Sequence, residues 1–145
     1  MHKKLTDQKI FNLLSWTWGI IMSFMGAVVC SFLMLCGKKP EHYGNCTYIA
    51  IGKNWGGLEF GWFFLCDEAQ AKHIKDHEYG HGLQNCLWGP FFLILWFWGI
   101  GRYWYREFVK YVLHKPLGPY DAIWFEGQAT QWGTECSEIL TQKEE

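Results

Sequence analysis

The sequence predicts an α+β fold, mainly α, on three observations. Residues 10–37, "IFNLLSWTWGIIMSFMGAVVCSFLMLCG", carry no charge. A His-Glu-x-x-His motif lies within "KDHEYGHGLQNC", residues 75–86. Further on, "DAIWFEGQATQWGTECSEI" repeats small residues along one helical face with a single carboxylate among them. These read as an N-terminal transmembrane helix, a β-hairpin, a motif-bearing helix packed on a C-terminal Glu-bearing helix, and a short apolar re-entrant or membrane-embedded segment between the two. The division expected is a tail and anchor over residues 1–37 and a minimal domain over 38–145.

Residues 10–37 would make a helix of roughly 42 Å, longer than the roughly 30 Å hydrocarbon core. A chain of 145 residues is too small to surround such a helix with protein. No small-residue cleavage site follows it, and neither Cys30 nor Cys36 has the small preceding residue of a lipoprotein box. Lys3, Lys4 and Lys9 flank one end and Lys38 and Lys39 the other, so the positive-inside rule barely chooses an orientation. Membrane lipid is therefore an expected partner. Nucleic acid is not: the net charge is −1 and no Lys/Arg run exists.

After the anchor, "GKKPEHYGN" is a polar, turn-rich exit. "CTYIAIG" reads as a strand, "KNWGG" as a turn, and "LEFGWFFLC", residues 58–66, as the return strand of a hairpin. Cys46 and Cys66 could pair across it in an oxidising space, or stay as buried thiols. Asp67, with Gln70 three residues on, forms a capping box for a helix over about 68–87, which Pro90 limits or kinks. The apolar run from Leu87 to Ile100 spans roughly 21 Å as helix, short for a crossing, and Gly99 and Gly101 then break the pattern. "RYWYREFVKYVLHK" reads as a basic, aromatic interfacial helix, and the last helix runs over about 121–139.

On the motif helix, His77 and His81 lie four apart and share a face, so both imidazoles can address one ion. Glu78 lies one step round, placed to reach water at the ion without ligating it. By itself the motif is a weak pattern, equally at home on a helix with two surface histidines. His73 extends the stripe and is an alternative ligand. A catalytic zinc takes three protein ligands and keeps one position open. Gln84 and Leu87 stand where a longer His-containing motif would carry Gly and His, and no "LDG"-like stretch occurs. Glu126 is the best third ligand. Ala122, Glu126, Ala129 and Gly133 form a small-residue stripe from which only Glu126 projects, and a carboxylate among Trp124, Phe125 and Trp132 needs a partner. The alternative is a packing face with a stray glutamate.

His-Glu-x-x-His followed at a distance by Glu-x-x-Ala-Thr resembles the gluzincin branch of zinc metallopeptidases. The order "NWGG", "HEYGHGLQN", "GPFF", "RYWYRE", "YDAIWFEGQAT" is similar to that of a group of small bacterial membrane proteins of this type, over residues 52–134. The resemblance implies a zincin-like domain at 38–145 in a bacterial cytoplasmic membrane, one Zn2+ per chain on His77, His81 and Glu126, and Glu78 as general base. Where such proteins carry Pro-Ser before "RYWYRE", this chain has "GIG" (residues 99–101), so the turn there is expected to differ.

The chemistry expected is hydrolysis of a peptide or protein substrate. Tyr120, Tyr79 and His114 are candidate donors to the developing oxyanion, and Asp121 and Asp76 candidate orienters of a ligand histidine. Leu58, Phe60 and Trp62 mark the strand beside which an extended substrate could add. Two rival readings use the same residues differently: a metal-binding membrane module without catalysis, and a membrane interaction protein whose motif is accidental.

Overall fold

The computed structural model describes residues 1–144, with Asp121 described by its backbone alone. It is a mostly helical α+β chain with a small mixed sheet. Helix α1 (Gln8–Trp16) starts at Asp7, whose carboxylate accepts from the N–H groups of Lys9 and Ile10. Helix α2 is Ile20–Leu35. The expected single anchor is thus two helices, bent by 92°. The break has a local and a distant cause. Thr17 Oγ1 donates to the Leu13 carbonyl at 2.6 Å, a back-bond that unwinds the turn. Gly19 lies against Asn85, where a Cβ would fall 2.3 Å from Asn85 Nδ2.

The strands are β1 (Pro40–Tyr43), β2 (Cys46–Ala50), β3 (Gly57–Phe60) and β4 (Phe63–Cys66), ordered β1-β2-β4-β3. This replaces the expected hairpin in two respects. The polar exit contains β1, which pairs antiparallel with β2 through a tight turn at Gly44 (φ +57°). The stretch 58–66 is itself a hairpin, folded at Gly61 (φ +69°), and β2 pairs parallel with β4. Thr47 therefore lies opposite Phe63, and Ala50 opposite Cys66. That register sets Cys46 and Cys66 at opposite ends of the ladder, and all six cysteines are free.

The pleat sends alternate side chains to two cores. Cys46, Tyr48, Phe64 and Cys66 join Tyr79 and Leu83 of helix α3 (Lys72–Trp88). Ile49, Phe60 and Leu65 meet Met22 and Cys30 of α2. Residues 1–37 thus share a core with the rest of the chain. Helix α3 begins later than expected and has no side-chain cap. Asp67 is used instead by the Gly56 N–H (3.3 Å), and Gln70, at φ +52°, accepts from the Tyr48 hydroxyl.

Helix α4 (Phe92–Tyr111) follows a short 3-10 turn at Gly89–Phe91. It runs through Gly99 and Gly101, so the apolar run and the basic aromatic segment form one helix, roughly 30 Å long. Among the described residues the helical stretch Lys72–Tyr111 is long and apolar enough to cross a membrane. It is not one rod. Gly89 takes φ +54°, Phe92 comes 6.1 Å from the His81 ring, and Ile100 shares a cavity wall with His73 and His77. Helix α4 therefore doubles back along α3.

The last helix, α5 (Trp124–Glu144), starts after a 3-10 turn at Tyr120–Ala122 and packs along α3. The small stripe serves that contact from Glu126 onward, while Ala122 stays exposed outside the helix. A Cβ on Gly80 would lie 1.8 Å from the Ala129 carbonyl oxygen, and one on Gly133 would lie 1.7 Å from that of Asp76. The N-terminal turn is tied to the same helix. His2 stacks on Trp132 at 4.8 Å and contacts Glu135 at 3.0 Å.

Candidate metal centre

The close approach of α3 and α5 brings His77, His81 and Glu126 together. Their ligand atoms lie within 4.8 Å of one another. His77 Nε2 and His81 Nε2 are 3.0 and 3.1 Å from the same oxygen, Glu126 Oε2. The two Nε2 atoms are 3.1 Å apart. Glu126 is 2% exposed. Burial alone would raise its carboxyl, but the hydrogen bonds and charges of His77 and His81 outweigh burial and hold it down at about 2.

The hydrogen bonds on the far side of each ring fix what these nitrogens offer. Gln84 Nε2 donates to the Phe125 carbonyl and to Gln128 Oε1, which identifies its other atom as the amide oxygen. His81 Nδ1, 2.8 Å from that oxygen, must carry the proton. Thr130 Oγ1 donates to the Glu126 carbonyl at 3.2 Å, so it accepts from His77 Nδ1–H at 2.8 Å. With Nδ1 protonated on both rings, Nε2 is the nitrogen that faces the Glu126 carboxylate. Burial opposes charge on the His81 imidazole, but the Glu126 hydrogen bond and the charges of Glu126, Glu78 and Glu59 pull it up to about 9, so a proton is held there when no cation is bound. A divalent cation in place of that proton would meet two Nε2 lone pairs and one carboxylate oxygen. The set fits zinc, which takes imidazole nitrogen and carboxylate oxygen readily.

Glu78 is buried and lines both cavities that flank the centre. Strand β3 passes directly over it: a Cβ on Gly57 would lie 2.6 Å from Glu78 Cγ. Tyr120 lines the larger cavity, its ring 6.2 Å from that of His77. Arg102 and Arg106 hold that ring from outside at 5.0 and 5.4 Å, and both donate to carbonyls of the same loop, at Tyr120 and Gly118. Burial, followed by the charges of Glu126 and Glu78, pushes the Tyr120 phenol well above its usual range, so it is a proton-bearing donor.

Several expected site residues lie elsewhere. Tyr79 is two positions from His77, hence on the opposite face of α3, and is fully buried in the sheet-side core. Asp76 also turns away and accepts from Tyr43 Oη and Lys72 Nζ. The orienting role expected of it falls to Thr130 and Gln84. His114 is exposed beyond α4 and lines neither cavity, and the side chain of Asp121 is outside the described residues. His73 is exposed and lines the larger cavity without joining the ligand set.

The sheet edge beside the centre is β3 alone, four residues long. Leu58 belongs to it and lines both cavities, whereas the Phe60 side chain is buried in the α2-side core. Trp62 is not on this edge. It sits in the turn, with Nε1 donating to Asn12 Oδ1 at 2.8 Å and its carbonyl accepting from Thr47. Alternate residues of an antiparallel strand point their backbone groups outward. Gly56 O accepts from Asp67 N on the β4 side, so Gly57 and Glu59 face away from β4. Trp96 Nε1 covers the Glu59 carbonyl at 2.7 Å. Gly57 is the open position.

Thr130 and Gln84 were within reach of the sequence, four residues after Glu126 and three after His81 on the ligand-bearing faces. Glu59 carried no such signal. It is 2% exposed, with Oε1 taken by the Gly61 N–H and Oε2 without a hydrogen-bond partner among the described residues. No family model matches the chain, and no curated protein or solved structure is significantly similar to it.

Proposed function

We propose that the protein is a membrane-bound zinc metallopeptidase of the gluzincin-like type that hydrolyses peptide bonds. The observation that carries this reading is the orientation of two imidazoles by Gln84 and Thr130, which brings both Nε2 atoms onto one oxygen of the Glu126 carboxylate. His77, His81 and Glu126 would hold the ion. Bound zinc supplies Lewis acidity toward water and the substrate carbonyl. Glu78 takes the proton from the attacking water and passes it to the leaving amine. The Tyr120 hydroxyl donates to the oxygen on which charge develops. The outward groups of Gly57 align an extended backbone beside Glu78.

Membrane attachment draws support from the outer faces of α2 and α4. Phe24, Phe32 and Leu35 are 64%, 65% and 88% exposed on one, and Ile94 and Phe97 are 65% and 60% exposed on the other. Such a surface suits lipid better than water. The resemblance in sequence adds the bacterial cytoplasmic membrane as its place. In this reading α4 is the membrane-embedded segment between the two site helices, and α1 and α2 form a bent anchor.

Metal analysis of detergent-purified protein tests the proposal. Wild type should hold about one zinc per chain, and His77→Ala and Glu126→Ala should lose it. Glu78→Gln should keep zinc and lose hydrolysis by several orders of magnitude. Full zinc content in His77→Ala would place the site elsewhere. Zinc with no hydrolysis by wild type would favour a metal-binding module.

A further inference from the structure

The larger cavity, of about 660 Å3, opens beside His77 and Glu78. Its volume is that of a site for a small ligand or a short stretch of extended peptide. Leu58, Ile74, Ile100, Tyr103 and Trp104 supply its apolar walls, and among the described residues no Lys, Arg or Asp lines it. A charged side chain brought there would lose hydration and find only His73 and the centre's own groups as partners. An apolar side chain would lose nothing.

The mouth of this cavity lies on the apolar exterior. Trp104 is at once a cavity wall and 68% exposed. It belongs to an outer stripe of α4 at positions 94, 97, 101, 104 and 108, spaced three and four apart. Four of these are Ile94, Phe97, Trp104 and Phe108, all more than half exposed. The fifth is Gly101, and a Cβ built on it meets nothing within 4 Å. Glycine inside a helix costs about 1 kcal/mol relative to alanine, and no contact within this chain requires it. It leaves a notch in the stripe, next to the cavity wall at Ile100. Gly99, two residues earlier, faces inward, where a Cβ would lie 3.3 Å from Glu126 Oε1.

Resting on the peptidase reading above, we propose that the substrates are apolar peptide segments that reach the centre sideways from the bilayer, through the notch at Gly101, with a bulky apolar side chain seated between Leu58 and Ile100. The open backbone of Gly57 and the cavity then hold adjacent parts of one extended segment. The hydrocarbon phase delivers what the cavity accepts.

Two measurements test this on zinc-loaded, full-length protein. In micelles, acetohydroxamic acid is titrated beside hydroxamates bearing an isobutyl or a carboxymethyl arm. The isobutyl arm should tighten binding roughly 10- to 100-fold and the carboxymethyl arm should not. In Ile100→Trp the isobutyl advantage should shrink toward one. Equal affinity for both arms overturns the substrate class while leaving the metal reading intact, whereas failure of acetohydroxamic acid itself to bind removes the open metal position and with it both proposals. In phosphatidylcholine vesicles, a 20-residue apolar peptide placed in the same bilayer as the protein should be cleaved, more slowly by Gly101→Leu. Equal rates for wild type and Gly101→Leu, or equal cleavage of peptide held in separate vesicles, overturn the lateral route.

Discussion

Gly80→Ala should disassemble the centre without touching a ligand. The added Cβ would sit 1.8 Å from the Ala129 carbonyl oxygen and 2.5 Å from its carbon, both backbone atoms of α5, while real Cβ contacts stay beyond 3.0 Å. Helices α3 and α5 must then part by more than an ångström. They cannot pivot freely, because Gly133 is equally tight on the Asp76 carbonyl at 1.7 Å. A shift of that size exceeds the roughly 0.5 Å within which a working site must be held. Glu126 would leave the two histidines. Overpacking costs about 1–3 kcal/mol, alanine's better helix propensity returns about 1, and losing a metal present at a hundred times its Kd removes about 2.7. The net is about 3–5 kcal/mol, a fall in Tm of roughly 10 °C for a chain of this length. Gly101→Ala is the control: it gains the propensity with nothing in contact, so Tm should rise by roughly 2–4 °C. Thermal melts and zinc content of both variants decide the matter. A Gly80→Ala protein that melts at or above wild type with full zinc would refute the reasoning.

Three further outcomes follow from the same contacts. Thr130→Val removes the acceptor of His77 Nδ1–H and should weaken zinc binding roughly 10- to 100-fold, with little change if His77 is oriented by something else. Burial pushes the Glu59 carboxyl up to about 8, against the opposing pull of His81 and the Gly61 N–H. Between an ordinary carboxyl pKa and pH 8 the folded state thus holds a proton that the unfolded chain has lost, and stability falls as pH rises through that window. Glu59→Gln should match wild type near pH 4 and exceed it by a few kcal/mol at pH 9; a Tm difference independent of pH would contradict this. Deleting residues 1–37 strips Met22, Gly26 and Cys30 from Ile49, Phe60 and Leu65, so the remainder should show no cooperative melt, and a fragment that melts cooperatively with full zinc would count against the shared core.

What could be read in the sequence was what recurs with a period. His77, His81 and the small face at Glu126, Ala129 and Gly133 were legible because helical geometry alone places them. The same periodicity would have removed Tyr79, which lies nearly half a turn from His77 on the wheel. The bend at Gly19 was hidden in a uniformly apolar stretch, since its distant cause is Asn85, 66 residues away. The hairpin within residues 58–66 turned on one φ angle, at Gly61, in a run otherwise suited to a single strand. Parallel pairing of β2 with β4 joins segments whose register no local signal encodes.

The clasp between the N-terminal turn and α5 has a temporal meaning. His2 precedes its partner Glu135 by 133 residues, and Thr6 precedes Lys143 by 137, so a ribosome releases one side of the clasp long before the other. Glu126 also emerges long after the histidines it joins. The inner faces of α1 and α2 are covered once the sheet and α3 have formed, whereas the N-terminal turn must wait for α5, across the 133 residues that separate His2 from Glu135. One late-synthesised helix, α5, thereby closes the clasp and completes the metal centre together.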